Sequence, residues 1–90
     1  MAPRITLNLT EKGELEIWLN HEGRDLLARK LEALTEKSEH FHLDTFEGAE
    51  LQACAKPYRA TDKIIHSAKI LFRTDEWDRK YYPHVLDNKC

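Results

Sequence analysis

Glycine, proline, cysteine and methionine are all scarce in this chain: three, three, two and one in 90 residues. That scarcity rules out collagen-like, linker-like and disulfide-scaffold architectures. Three glycines cannot build a Walker loop or a dinucleotide-binding G-x-G-x-x-G turn. No apolar run approaches the roughly 18–20 residues needed to span a bilayer. A basic excess is missing too: 14 Lys and Arg stand against 16 Asp and Glu, a net charge of −2. No positive field is therefore available for a phosphate backbone, and neither nucleic acid nor membrane is an expected partner. "MAPRITLNLTEKGELE" becomes charged too early to hold a signal-peptide apolar region, which makes the cytoplasm the expected location.

What is present is enough for one small domain, expected to span residues 1–90. "ITLNL" alternates Ile5, Leu7 and Leu9 with Thr6 and Asn8, and "LEIWL" alternates Leu15, Ile17 and Leu19 with Glu16 and Trp18. Lys12-Gly13 between them supplies the turn of a β-hairpin. Asn20 stands where an N-cap belongs, followed by Glu22 and Asp25 in a dipole-favoured first turn. Leu26, Leu27, Leu31 and Leu34 then form one apolar stripe, predicting an amphipathic helix over about residues 21–37. "HFHLD" returns to a period of two and turns Phe41 and Leu43 to the core.

Residues 45–61 carry no sustained pattern and read as a loop, with at most one helical turn near Glu50. "DKIIHSAKILFRT" fits both a helix stripe and a strand face, and its Ile and Phe content favours the strand. Thr74 can cap "DEWDRKYY", which Pro83 stops; Trp77, Tyr81 and Tyr82 are expected to cover one edge of the core. The predicted fold is α+β and two-layered: a β-β-α-β-β order, a four-stranded, mainly antiparallel sheet, one helix on one face and a short C-terminal tail over 75–90. The opposite face would expose Thr6, Asn8, Glu14, Glu16, Trp18, His40, His42 and Asp44.

His40, His42 and Asp44 share that face because side chains two apart project together from a strand. They could ligate a metal, and "HFHLD" overlaps the H-x-H-x-D-H run of metallo-β-lactamase-type hydrolases. Position 45, however, is Thr rather than His, and 90 residues are too few for that fold. His66 is expected as a core histidine on the helix side, so no third ligand joins the pair at the required distance of about 2.0–2.3 Å. Ser38 and Ser67 lie in no G-x-S-x-G elbow, and Cys54 and Cys90 belong to no C-x-x-C pair. No cofactor is expected. A small metal-binding or hydrolytic protein using His40, His42 and Asp44 remains the alternative to a binding protein, with a structural subunit third.

Leu19-Asn20-x-Glu22-Gly23, the Leu-striped helix, and His40-x-His42-Leu43-x-Thr45-x-x-Gly48-x-Glu50-Leu51 occur here in order. In these features residues 14–72 resemble the immunity protein 32 family, small bacterial proteins paired with polymorphic toxins. One departure is Phe46-Glu47-Gly48, where that family's pattern has Trp-Gly-Gly. The resemblance implies an α+β domain that neutralises a cognate toxin by binding, without catalysis. Trp18 is an aromatic on a polar face, to be covered either by a partner or by the chain's own tail. The expected partner surface comprises Trp18, His40, His42, Asp44, Phe46, Glu47 and Glu50; the oligomeric state is left open.

Overall fold

Residues 2–87 are described by the computed structural model. The expected hairpin forms from β1 (Ile5–Leu9) and β2 (Leu15–Leu19), antiparallel, with Leu7 opposite Ile17. Its turn closes where Thr10 accepts from the Gly13 and Glu14 backbone, and Gly13 takes a φ of +89° that side-chain-bearing residues avoid. Asn20 then caps α1 (His21–Glu32), its Oδ1 accepting from Gly23 N at 2.7 Å and from Arg4 N at 2.8 Å. One side chain therefore ties the start of the helix to the entry of β1. The helix stops at Glu32, five residues before the apolar stripe predicts, and leaves Leu31 exposed.

After α1 come β3 (His40–Asp44), β4 (Leu51–Gln52), β5 (Lys63–Ile64), β6 (Ser67–Leu71), α2 (Asp75–Tyr81) and a 3₁₀ turn at Pro83–Leu86. The architecture is α+β, but the expected single four-stranded sheet is replaced by two three-stranded ones, ordered β2-β1-β5 and β4-β3-β6. The division falls within the 63–72 segment. It is a strand, as its Ile content favoured, but one interrupted at Ile65–His66. Its first part pairs with β1 and its second with β3. The interruption lets one chain segment stitch both sheets: Ile65 N donates to Leu7 O and Thr45 N to His66 O. His66 is exposed rather than in the core and shares a hydrogen bond with Thr45 Oγ1.

A second stitch runs through β4, which lies in the expected loop. It pairs parallel to β3, and just beyond it Ala53 N donates to Asp44 O and Cys54 N to Ile5 O. Two residues are too few to reveal an alternation, so this strand has no sequence signature.

Ile5, Leu7, Phe41, Leu43 and Leu51 form the buried core, with Leu26, Leu27, Leu34, Ile65, Ala68 and Ile70 packed around it. Leu15, Ile17 and Leu19 were expected there too. Instead they are 53%, 49% and 40% exposed, on a strand at the edge of its sheet. Thr6 and Asn8, expected on the open face, are fully buried. Trp77 is half-buried, whereas Tyr81 and Tyr82 are exposed and pack on Trp77 rather than on the core. The radius of gyration of 15.3 Å exceeds the roughly 12 Å of a compact chain this long. The last five residues, 86–90, carry no pattern and are expected to fray, but Leu86 belongs to the 3₁₀ turn, with Asp87 at its end; positions 88–90, Cys90 among them, lie outside the described residues.

Gly23 supplies a test of how closely α1 meets β1. A Cβ there would collide with the Arg4 carbonyl oxygen, a backbone atom that cannot swing aside. Helix propensity favours alanine over glycine by about 1 kcal/mol, but forced overlap costs about 1–3 kcal/mol or more. Gly23→Ala is therefore expected to lower stability despite its better propensity. A rise in the urea midpoint would contradict that packing.

Candidate partner-binding surface

The expected surface residues are distributed over both sheets. His40 and His42 on β3 come together, their rings edge to face with centroids 5.1 Å apart. His40 Nδ1 donates to Glu39 Oε1 at 2.9 Å. Glu50 accepts from His42 N at 3.2 Å and meets Lys30 Nζ of α1 at 3.5 Å. Phe46 and Glu47 lie exposed in the loop that follows, where Gly48 adopts a φ of +88°. Asp44 departs from expectation. It is buried, and its Oδ1 accepts from Ser67 Oγ at 2.6 Å, so it is no outward rim charge. Among the described residues no three His, Cys, Asp or Glu side chains gather as a metal site would require.

Trp18 lies on the other sheet, and the described part of the C-terminal tail, 75–87, does not provide its cover. Tyr58, from the loop between β4 and β5, stacks on it with ring centroids 3.9 Å apart and planes 12° from parallel. Arg59 places its guanidinium carbon 5.8 Å from the Trp18 ring centroid while donating to Glu16 and Asp62 at 2.8 and 2.9 Å. Trp18 Nε1 donates to the same Glu16 oxygen at 3.1 Å.

Asn8 holds this group from beneath. Its amide nitrogen donates to Glu16 and Asp62, and its oxygen accepts from Tyr58 N. The loop over Asn8 explains why the outer face of β1 is buried rather than open. Alternation alone placed Asn8 on a wet face; nothing local announces a cover contributed 50 residues later. The signal that could have found it is compositional: Arg59 and Asp62 at i,i+3 beside an aromatic in a loop.

The charges in this cluster support one another. The Arg59 guanidinium is the main cause holding the Glu16 carboxyl below the usual range, and the Asn8 amide does most to lower Asp62. Arg59 is correspondingly raised by Glu16 and then Asp62. Glu39 is lowered by His40 and Glu50 by the His42 backbone N–H. Each carboxylate is harder to protonate folded than unfolded, so the unfolded chain takes up protons first as pH falls. The stabilisation is present above about pH 4, the range of unperturbed Asp and Glu, and is lost as pH falls further through the lowered values. Urea midpoints are expected to be flat from pH 7 to about 5 and to drop below about 4. A midpoint that rose on acidification would reverse the assignment.

No family model matches the chain, and neither a curated protein nor a solved structure matches it.

Proposed function

We propose that the chain is a non-catalytic binding protein that neutralises a cognate toxin by direct protein–protein contact, the role implied by its resemblance to the immunity protein 32 family. The observation carrying this reading is the Trp18–Tyr58–Arg59 group on the surface of the first sheet. Trp, Tyr and Arg dominate interface hot spots, because each combines a large apolar area with a polar handle. Here the stack and the Arg59–Glu16–Asp62 network hold them in place before any partner arrives, so little side-chain freedom is left to lose on binding.

His40, His42, Phe46, Glu47 and Glu50 add polar and aromatic surface on the second sheet; Asp44, being buried, is withdrawn from the set. Among the described residues no helix is long and apolar enough to cross a membrane.

The test is capture from the host with wild-type protein as bait, identification of the bound protein, and titration of that purified protein. Trp18→Ala is expected to weaken the affinity by about 2 kcal/mol, roughly 30-fold, with the circular dichroism spectrum unchanged. Unaltered affinity with a folded variant would remove Trp18 from the interface. Stoichiometric zinc binding lost on His42→Ala would favour the metal reading instead.

A further inference from the structure

Among the described residues, β2 has a sheet neighbour only on its β1 side. In an antiparallel pair, residues alternate between those that exchange backbone hydrogen bonds and those that do not. Thr10 N donates to Glu14 O, and Asn20 N to Arg4 O. With Asn8 opposite Glu16 and Thr6 opposite Trp18, the even-numbered residues of β2 therefore bond to β1. The backbone N–H and C=O groups of Leu15, Ile17 and Leu19 consequently point away from the sheet. These three also bear the half-exposed apolar side chains. Both the open backbone and the uncovered apolar stripe belong to the same residues.

Free edges are normally blunted by lysine, proline, a bulge or a cover. The edge strand β6 shows such a guard. Its pairing with β3, closed by Phe72 N to Glu39 O and Thr45 N to His66 O, turns Ser67, Lys69 and Leu71 outward, with a lysine at the centre. The β2 edge has no lysine, no proline and no bulge within Leu15–Leu19.

We propose that the β2 edge pairs antiparallel with β2 of a second copy of this chain about a two-fold axis through Ile17. The occupant is identified by register. Setting Ile17 opposite Ile17 puts Leu15 opposite Leu19 twice, so all three outward-pointing residues meet their equals as hydrogen-bonded pairs. On the other face Glu16 then meets Trp18, whose indole already donates to Glu16 within each chain, and Glu14 meets Asn20. The alternatives are worse. Sliding one way sets Glu16 on Glu16, and like charges directly opposite are destabilising. Sliding the other way sets Leu15 against His21, where the chain has already entered α1. A one-residue slip pairs inward-bonded with outward-pointing residues, and an in-register parallel pair stacks Glu14 on Glu14 and Glu16 on Glu16.

The result is an isologous dimer with one six-stranded sheet. The two Trp18–Tyr58 groups lie on the same face of that sheet. A five-residue pairing is short, placing the dimer in the small-interface class, with a dissociation constant expected in the micromolar range. This inference does not rest on the toxin-binding reading: the dimer would stand if Trp18 bound nothing.

Light scattering on the full chain is expected to give a dimer at about 200 µM and a monomer near 1 µM. Ile17→Glu, which sets a charge on itself across the axis at a half-exposed position, should be monomeric throughout with an unchanged circular dichroism spectrum. Cysteine cross-linking in a Cys54→Ser, Cys90→Ser background reads the register even if that variant misfolds. Hydrogen-bonded pairs stand about 5.5 Å apart at Cα, within disulfide reach. Ile17→Cys alone should cross-link on mild oxidation. Leu15→Cys and Leu19→Cys should each fail alone and succeed when mixed. A wild-type chain that stays monomeric at about 200 µM, or Leu15→Cys cross-linking alone as well as Ile17→Cys, overturns the proposal.

Discussion

Phe41→Ala is expected to lower unfolding stability by about 3–5 kcal/mol, enough to leave a domain of this size largely unfolded at 37 °C. Phe41 is 2% exposed and sits in the cluster where Ile5 and Leu7 of one sheet meet Leu43 and Leu51 of the other. Few large side chains share that position. Removing the ring forfeits its transfer energy and leaves a cavity that two sheets, joined only through short stitches, cannot both move to fill. Urea unfolding followed by circular dichroism measures the loss. A cost below about 1 kcal/mol would mean that the sheets do not pack through this residue. Leu31→Ala, on the exposed side of α1, serves as the control and is expected to change stability by less than about 0.5 kcal/mol.

Asn8→Ala is the second large effect, at about 1–3 kcal/mol, and it acts through hydrogen bonds rather than volume. Asn8 is fully buried and makes three contacts, to Glu16, Asp62 and the Tyr58 backbone. Its loss strands the Tyr58 N–H and takes one donor from each carboxylate, so the loop carrying Tyr58 and Arg59 should loosen. Hydrogen exchange at the Tyr58 amide is expected to speed up, and Trp18 fluorescence to change as its stacking partner moves. Asn8→Asp should be worse than Asn8→Ala at neutral pH, because a third carboxylate would face Glu16 and Asp62. Part of that extra loss should return on acidification, once the carboxylates share protons. If the two variants proved equal at pH 7, the polar group beneath the loop would not be tightly closed.

The same residue shows where the sequence stops being legible. Alternation predicted the hairpin, though not its register, and it correctly opposed Asn8 to Leu7. Alternation reports only which side of a strand a residue takes; it cannot report whether that side is wet. Asn8 and Thr6 are buried by a segment some 50 residues distant in the chain, while Leu15, Ile17 and Leu19 have the right period and no cover. His40 and His42 were found because their spacing is local, and their meeting at 5.1 Å follows from it. Tyr58, Arg59 and Asp62 were missed because their partners, Trp18, Glu16 and Asn8, lie in another element.

Local rules thus determined, by themselves, the hairpin, the Asn20 cap, the helix start, the β3 strand, the strand character of 63–72 and the Thr74 cap of α2, which accepts from Trp77 N at 3.1 Å. Each depends on residues within one turn or one strand of one another, where propensity, capping and period act directly. Only the tertiary structure decided that the strands divide into two sheets, that Asp44 turns to Ser67, that Tyr58 stacks on Trp18, and that β2 lies at a sheet edge. Those outcomes are set by long-range backbone pairing through Cys54 and Ile65, and by which surfaces one 12-residue helix can reach. A helix of that length cannot shield two sheets at once, and Leu15, Ile17 and Leu19 of β2 are among the apolar residues left exposed.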